Sequence, residues 1–343
     1  MKVIASWFYT HGPDETGAYA QVRGDVASEE FRDVYRRCIA TFFATARRAE
    51  PTARLLLFSN VVWDSSASAI AGEVADLLTT LHVDIVTLPY SHMPPTSWPA
   101  AWRNQFFVFD VLKWADHNLT SLDQILVLDS DVVWTGAPLT ERMWEEVGIQ
   151  GALTLKIDYP EDHVVNGLSR REMTIKMAPG WQNQGVLDYS GGEFVALRGD
   201  VIGSVYEQAA SILAEHFLLS GGGVKYAFEE AHVLSVAYSQ LGIPVGGANR
   251  FIKRIWTQPL KPRNQDPSDL HLALWHLPAE KRYGIRRLYK RTRRLGASTS
   301  GLNYGDEGKV LRLMARVLGV PRNTMIKWVS DVSRAMLARL KGK

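Results

Sequence analysis

The stretch QILVLDSDVVW, residues 124–134, decides the fold. Its first five residues predict a buried strand of a central sheet, and Asp129 and Asp131 follow at the carboxyl end of that strand. Side chains alternate along extended backbone, so these two carboxylates face the same way across Ser130. Ligands of open α/β sheets bind just outside the carboxyl ends of the strands. Residues 124–134 therefore predict a strand that delivers two carboxylates to a binding site.

Strands and helices alternate over the residues that precede this stretch. We predict strands over Val3–Tyr9, Arg54–Ser59 and His82–Leu88, and helices over Glu29–Ala49 and Ala67–Leu81. Such alternation is typical of βαβ units and a parallel sheet. The first strand is followed by neither a G-x-G-x-x-G nor a P-loop motif, which argues against dinucleotide-binding and P-loop proteins. The expected fold class is α/β.

The middle of the chain continues this pattern. Helices are predicted over residues 101–117, 202–217 and 229–240, and a strand over 189–197. The polar residues Asp158–Gly185 are predicted to form one long loop, and loops of that length are often functional.

Charge is distributed unevenly along the 343 residues. The chain has 39 Lys/Arg and 36 Asp/Glu, but residues 281–343 carry 17 Lys/Arg against 3 Asp/Glu, which leaves a net charge of −11 on residues 1–280. We therefore expect an acidic body that does not bind nucleic acid and a basic end that meets an anionic surface. One cysteine, Cys38, excludes a disulfide framework; its apolar helical context predicts a buried thiol, and the cytoplasm is the expected location.

Asp129 and Asp131 are the candidate metal ligands. Divalent cations such as Mn²⁺ or Mg²⁺ bind one or two such carboxylates and complete their coordination with phosphate and water. A pair of aspartates in a turn would also match D-x-D. The apolar strand before the motif and the VVW after it favour the metal site.

Three segments together resemble a known family. LVLDSDVVW, residues 126–134, resembles the metal-binding D-x-D of nucleotide-sugar glycosyltransferases with the GT-A fold. YSGGEF, residues 189–194, and FEEAHVL, residues 228–234, resemble segments of the histo-blood-group α-1,3-galactosyl- and N-acetylgalactosaminyltransferases. Bacterial lipopolysaccharide α-galactosyltransferases and glycogenins match more loosely. The resemblance covers roughly residues 103–281 and implies a retaining enzyme that uses a UDP-sugar and Mn²⁺, with a Rossmann-like, mixed and mostly parallel sheet flanked by helices.

The resemblance implies roles for several residues. Glu230 matches the proposed catalytic nucleophile, and Glu229 matches the acidic residue before it. Alternatively, two glutamates at a helix start could simply complement the positive end of the helix dipole. Arg103 matches an arginine that contacts the donor sugar or diphosphate, and it could equally be a surface arginine. Gly191 and Gly192 would let the backbone approach a sugar, or could form a tight turn.

Other donor contacts are predicted from position. Phe8, Tyr9 and Thr10 follow the first strand, where an aromatic ring could stack on the nucleotide base. Ser130 lies between the two aspartates and is also a candidate donor contact. The loop Asp158–Gly185 is expected to close over the donor and exclude water.

The segment LWHLPAEK, residues 274–281, adds two candidates by resemblance. Bacterial α-galactosyltransferases carry a His…Gly…Lys segment whose histidine binds the metal and whose lysine contacts phosphate. By this match His276 is a metal ligand and Lys281 a phosphate contact. The glycine is missing here and the spacing is one residue shorter, so His276 beside Trp275 could instead be a core residue.

Residues 285–343 are predicted to form a basic helical extension of a catalytic domain that spans residues 1–284. Their apolar residues form two helical stripes, one of Val310, Leu311, Met314, Val317 and Leu318, and one of Met325, Ile326, Val329, Val332, Met336 and Leu340. Apolar stripes flanked by Lys, Arg and Trp are typical of helices that lie on anionic lipid. These helices could instead pack on the body or form a nucleic-acid-binding arm, and the acidic body disfavours the arm.

The sequence thus predicts a metal-dependent hexosyltransferase. We expect it to act on a glycan or glycolipid acceptor in bacterial surface-polysaccharide or lipopolysaccharide synthesis, bound peripherally to the inner face of the cytoplasmic membrane. We find no membrane-spanning stretch and no signal peptide. An inverting transferase with Glu229 or Glu230 as general base, and a non-catalytic membrane-associated carbohydrate-binding protein, are the alternatives. The donor sugar, the nucleotide base, the acceptor, the linkage and the oligomeric state stay open.

Overall fold

A six-stranded sheet forms the centre of the protein, in the strand order β3-β2-β1-β4-β7-β6, and β5, β9 and β8 form a second, three-stranded sheet. The computed structural model describes residues 1–12, 15, 22, 24–95, 98, 100–136, 138–221, 226–258, 262–296 and 307–341. The strands are β1 Lys2–Phe8, β2 Arg54–Ser59, β3 Val83–Thr87, β4 Gln124–Leu128, β5 Val132–Trp134, β6 Ala152–Lys156, β7 Ser190–Arg198, β8 Ile252–Arg254 and β9 Leu274–His276.

Helices cover both faces of the central sheet. They are α1 Glu29–Ala49, α2 Ala69–Thr80, α3 Phe107–Asn118, α4 Leu139–Gln150, α5 Arg170–Met177, α6 Gly199–Gly221, α7 Glu230–Gln240, α8 Gly284–Gly296, α9 Glu307–Leu318 and α10 Met325–Lys341. Short 3₁₀ helices are Ala100–Phe106, Pro179–Gln184, Pro267–His271 and Pro278–Glu280. One buried cluster joins the sheet to α3, α6 and α7, and another joins it to α1, α2 and α4.

The sheet is mixed and mostly parallel, so the predicted fold class is confirmed. β1 pairs in parallel with β2 and β4, and β3 continues the parallel part, whereas β7 is antiparallel to both β4 and β6. Because β7 runs against β4, its start lies at the edge where β4 ends. The backbone N–H of Asp129 donates to the carbonyl oxygen of Glu193 at 3.2 Å. The D-x-D motif and the YSGGEF segment therefore meet at one edge of the sheet.

The stretch Asp158–Gly185 is not one long loop, and this prediction was wrong for residues 170–184. Those residues form α5 and a 3₁₀ helix. Oγ of Ser169 accepts from the backbone N–H of Glu172, whose carboxylate accepts in return from the N–H of Ser169. This capping box starts a helix despite the polar sequence.

The C-terminal helices α8 and α9 pack on the body. Met314, Val317 and Leu318 of α9 share one buried cluster with Cys38 of α1 and Trp275 of β9. The first predicted apolar stripe is thus covered by protein and does not face lipid, and the predicted boundary at residue 284 stays a prediction. No described helix is long and apolar enough to cross a membrane.

Candidate active site

A cleft of about 330 Å³ lies at the carboxyl ends of β1 and β4. It joins side chains from the strand ends, from the start of α7 and from the second sheet. The predicted site residues that line it are Phe8, Tyr9, Asp129, Ser130, Asp131, Gly192, Glu229, Glu230, His276 and Lys281. Residues far apart in the sequence therefore converge on one cleft.

Three predicted site residues do not line this cleft. Thr10 is bound through its backbone to the side chain of Asn60, at 2.8 and 2.9 Å. Arg103 lines a small neighbouring pocket and donates to the carbonyl oxygen of Pro94 at 3.1 Å. Gly191 lies on β7 behind the cleft wall. Their roles in donor binding stay predictions.

Asp129, Asp131 and His276 form a group of possible metal ligands. One carboxylate oxygen of each aspartate and one ring nitrogen of His276 lie within 4.8 Å of one another. Nε2 of His276 is 3.7 Å from Oδ2 of Asp129 and 3.3 Å from Oδ2 of Asp131. The pairing of Val132 in β5 with His276 in β9 brings the histidine beside the D-x-D motif.

The chemistry of this group fits a divalent cation. Oδ2 of Asp131 and Nε2 of His276 are both buried and lie 3.3 Å apart, and Lys281 is the ion-pair partner of Oδ2, but no aligned hydrogen bond satisfies either atom. Buried polar atoms seldom stay unsatisfied, and a cation bound between the carboxylates and the imidazole would satisfy both atoms. Two carboxylates favour a hard cation and an imidazole favours a transition metal, so the combination fits Mn²⁺ better than Mg²⁺.

Lys281 places an ammonium group beside Asp131. Its Nζ is 2.7 Å from Oδ2 of Asp131, in an ion pair without hydrogen-bond alignment. Although burial opposes ionisation, Lys281 and His276 hold the pKa of Asp131 well below its usual range. Burial and the charge of Asp131 raise the pKa of Asp129 to about 6. Although burial opposes its charge, Asp131 raises the pKa of His276 to about 9.

Behind His276 lies a buried pair that the sequence analysis missed. Nδ1 of His276 is 3.1 Å from Oε1 of Glu193, and Arg254 donates to both carboxylate oxygens of Glu193 at 2.6 and 2.7 Å. Although burial opposes ionisation, Arg254 holds the pKa of Glu193 well below its usual range. A Cβ at Gly191 would collide with the carboxylate of Glu193, which explains that glycine. Glu193 thus orients His276 so that Nε2 faces the two aspartates.

We expect Glu193→Gln to weaken Mn²⁺ binding by about 10-fold or more, because a group that orients a ligand tunes its affinity for the metal. Titration calorimetry with Mn²⁺ in the absence of nucleotide measures the change. The double variant Glu193→Gln/Arg254→Met controls for an unpaired buried Arg254, and thermal melts check that both fold. Wild-type Mn²⁺ affinity in both variants would contradict the orienting role.

Glu230, the first residue of α7, is buried in the same cleft. Its Oε2 has no hydrogen-bond partner, and a Cβ at Gly192 would collide with its other carboxylate oxygen. Burial, then the charges of Glu229 and Asp129, raise the pKa of Glu230 well above its usual range. A buried carboxyl without compensation is destabilising and is typical of functional sites. The lack of a side chain at Gly192 therefore makes room for the carboxylate of Glu230. The sequence analysis had predicted that this glycine makes room for the sugar.

Glu229, in contrast, is held by its neighbours. Tyr189 OH and Nδ2 of Asn166 donate to its two carboxylate oxygens. Its backbone N–H donates to Nδ1 of His232 at 3.1 Å, and Nε2 of His232 is 3.3 Å from the carbonyl oxygen of Leu168. Burial lowers the pKa of His232 to about 4, so this imidazole is neutral. Of the two glutamates, Glu230 has the free oxygen.

Several further residues that sequence reasoning missed line the cleft. Asn104 and Gln105 follow Arg103 directly, so the sequence analysis found the segment but chose a neighbouring side chain. Tyr159 and Asn166 come from the predicted lid, which therefore contributes to the cleft wall. Other missed residues include Trp7, His11, Arg32, Tyr35, Tyr189, Glu193, Arg254 and Trp256.

No protein-family model and no curated protein sequence matches the chain. Among solved structures, it is similar to the galactosyltransferase LgtC in complex with donor and acceptor sugar analogues, with a TM-score of 0.47 and 12% identity over 91% of this chain and 100% of that chain. It is also similar to the bifunctional WbbM, with a TM-score of 0.47 and 11% identity over 80% of this chain and 45% of that chain. Mouse xyloside xylosyltransferase 1 aligns with a TM-score of 0.47 and 9% identity over 80% of this chain and 97% of that chain. All three similar structures are glycosyltransferases.

Proposed function

We propose that the protein is a metal-dependent glycosyltransferase that moves a hexose from a nucleotide sugar to a glycan or glycolipid acceptor. One observation carries this proposal: the cleft joins the Asp129, Asp131 and His276 group to the buried carboxyl of Glu230, whose Oε2 has no hydrogen-bond partner. A retaining transfer from a sugar diphosphate needs charge compensation for the departing diphosphate and a carboxylate at the anomeric carbon. This cleft offers both.

Each residue has a defined task in the proposed reaction. Asp129, Asp131 and His276 would hold the cation, which when bound supplies Lewis-acid stabilisation of the diphosphate. Lys281 adds a positive charge beside Asp131. Phe8 and Tyr9, at the end of β1, offer aromatic faces to the nucleotide base.

Glu230 acts on the sugar. The C1–O bond to the diphosphate breaks and its electron pair leaves with the diphosphate, while the carboxylate of Glu230 stabilises or attacks C1. The acceptor oxygen then forms the new bond to C1, which displaces Glu230 where it has bonded to C1, and the acceptor proton passes to a phosphate oxygen of the departed diphosphate, with retention of configuration. The raised pKa of Glu230 also suits a general base in an inverting transfer. NMR of the product's anomeric configuration distinguishes the two mechanisms.

The proposal includes a setting for the reaction. We propose a UDP-sugar of the galactose or N-acetylhexosamine type as donor and a lipid-linked glycan of bacterial surface-polysaccharide synthesis as acceptor. The residues that resemble the blood-group transferases support the donor class. The excess of cations in residues 281–343 supports a location at the inner face of the cytoplasmic membrane, where a lipid-linked acceptor would lie.

A thermal-shift panel of UDP-, GDP- and CMP-sugars, with and without Mn²⁺, tests the proposed donor class. A ligand at about 100 times its Kd stabilises a protein by about 2.7 kcal/mol, which for a chain of this length corresponds to a rise in Tm of roughly 4 °C. We expect such a rise with a UDP-sugar and only when Mn²⁺ is present. No rise with any nucleotide sugar would contradict the proposal and favour the non-catalytic alternative.

A further inference from the structure

The helix α10 lies against the body through charged side chains. Lys327 and Asp331, one helical turn apart, are each only 2% exposed. Nζ of Lys327 is 2.7 Å from Oε1 of Glu280 and 2.5 Å from Oδ2 of Asp331, and Arg287 of α8 also pairs with Asp331. Removing one partner of a buried ion pair is strongly destabilising, so these contacts fix which side of α10 faces inward.

The apolar side chains of α10 point away from the body. We name five of them the outer stripe: Met325 and Ile326 (each 76% exposed), Trp328 (36%), Val329 (51%) and Met336 (55%). A surface helix ordinarily turns its apolar face to the core and its charges to solvent. α10 has the opposite arrangement, with ion pairs inside and an apolar stripe outside.

Three exposed cations lie just before α10 in the sequence or on α8, which contacts α10 through Arg287, and we name them the flanking cations. Arg322 precedes Met325 by three residues and is exposed. Lys290 and Arg291 are exposed too, and they follow Arg287 by three and four residues, so they lie on the side of α8 that reaches α10. Among the acidic side chains described in residues 281–341, Asp331 is buried and paired, so it adds no negative charge to this surface.

We propose that the outer stripe and its flanking cations bind the surface of an anionic lipid bilayer, with α10 lying in the plane of the headgroups. An apolar stripe with Trp and bordering Lys and Arg is the composition that interfacial helices use. Two copies that met through this surface would bring equal positive charges together, whereas anionic headgroups neutralise them. The proposal assigns the contact to α10 alone, since the stripe of α9 is covered, and it does not depend on the transferase activity.

Flotation of the full-length protein with vesicles tests this surface. We expect binding to phosphatidylcholine vesicles that contain about 30% phosphatidylglycerol, and little binding to phosphatidylcholine alone. Ile326→Ser/Val329→Ser should reduce partitioning into the anionic vesicles by about tenfold or more. Val62→Ser/Leu122→Ser is the matched control, because Val62 and Leu122 are 78% and 81% exposed on other parts of the protein, and it should bind like wild type.

The charge contribution has its own variant. Lys290→Gln/Arg291→Gln should lower partitioning several-fold at low salt and reduce its dependence on salt. If Ile326→Ser/Val329→Ser floats with anionic vesicles as well as the wild type does, the proposal is overturned. Absence of wild-type flotation, with a dimer in ultracentrifugation that the same variant abolishes, would also overturn it. Donor cleavage without vesicles should be equal in all these variants, so a failed lipid proposal is distinguishable from a failed transferase proposal.

Discussion

Glu230→Gln is expected to lower sugar transfer by about 10³-fold or more and, at the same time, to make the protein more stable. Activity falls because an amide is neither a nucleophile nor a base and carries no charge to stabilise a cationic transition state. Stability rises because Gln removes a carboxyl that is buried without a hydrogen-bond partner at Oε2. The gain at neutral pH should be about 1–3 kcal/mol.

The gain in stability should depend on pH. Burial raises the pKa of Glu230 in the folded protein, so the native state binds more protons than the unfolded state above the usual carboxyl pKa of 4.5. The free energy of unfolding of the wild type therefore falls as pH rises from about 4.5 through the raised pKa. Glu230→Gln lacks this slope, so the two proteins should have similar Tm values near pH 4.5 and diverge toward pH 8.

Thermal melts and initial rates on the same preparations check this prediction. Glu207→Gln is the matched control, since Glu207 is exposed on α6, and it should change neither quantity. Wild-type transfer by Glu230→Gln would remove Glu230 from the mechanism. A lower Tm of Glu230→Gln than of the wild type at pH 8 would show that the carboxylate of Glu230 stabilises the folded protein through its partners, which contradicts the prediction.

Asp129→Asn is expected to abolish measurable Mn²⁺ binding, with a loss of affinity of about 100-fold or more. A direct ligand should matter more than the groups that orient ligands, whose removal costs roughly 10- to 100-fold. Asp129 is the cleaner of the two aspartates to change, because its side chain is 34% exposed and its ion pair with His276 is long, at 3.7 Å. Calorimetric titration with Mn²⁺ gives the affinity directly.

Asp131 needs a compensated variant. Its side chain is 1% exposed and pairs with Lys281, so Asp131→Asn alone leaves a buried ammonium unpaired, a change that costs about 3–5 kcal/mol. Asp131→Asn/Lys281→Met removes both charges and should fold while failing to bind Mn²⁺. Unchanged Mn²⁺ affinity in this double variant and in Asp129→Asn would place the metal elsewhere.

Local sequence was sufficient for the elements that build the sheet. The strands at Arg54–Ser59 and Gln124–Leu128 and the helix at Glu29–Ala49 have the predicted bounds. Most other predicted elements differ by a few residues at their ends, but the helix predicted from residue 101 begins at Phe107, after a 3₁₀ helix. Both signals are hydrophobic periodicities that depend on nearby residues alone. The D-x-D motif was placed correctly for the same reason, since it directly follows such a strand.

The parts of the site that depend on distant contacts were not predictable in this way. Glu193 of β7 and Arg254 of β8 come from two different sheets, and no local sequence pattern indicates that they meet. Arg103 was chosen for its match to an arginine of the blood-group family, but the segment Ala100–Phe106 is a 3₁₀ helix in which Asn104 and Gln105 line the cleft. A shift of one residue turns a side chain by about a third of a turn.

The orientation of α10 on the body was not predictable from hydrophobic periodicity, for a different reason. The stripe of Met325, Ile326 and Val329 was identified from its spacing, but spacing does not say which side faces the protein. Here the inward side is chosen by Lys327 and Asp331, whose partners Glu280 and Arg287 come from other segments. Ion pairs between distant residues leave no period in the sequence.

The proposed reaction requires donor cleavage that depends on both Glu230 and the group of Asp129, Asp131 and His276. Release of the nucleoside diphosphate from UDP-sugars, followed by ³¹P NMR in Mn²⁺ and again in excess EDTA, tests this most directly. We predict Mn²⁺-dependent cleavage by the wild type, and none above background with EDTA, in Asp129→Asn or in Glu230→Gln. Cleavage that persists in EDTA and in both variants, or its absence with every UDP-sugar, would contradict the account.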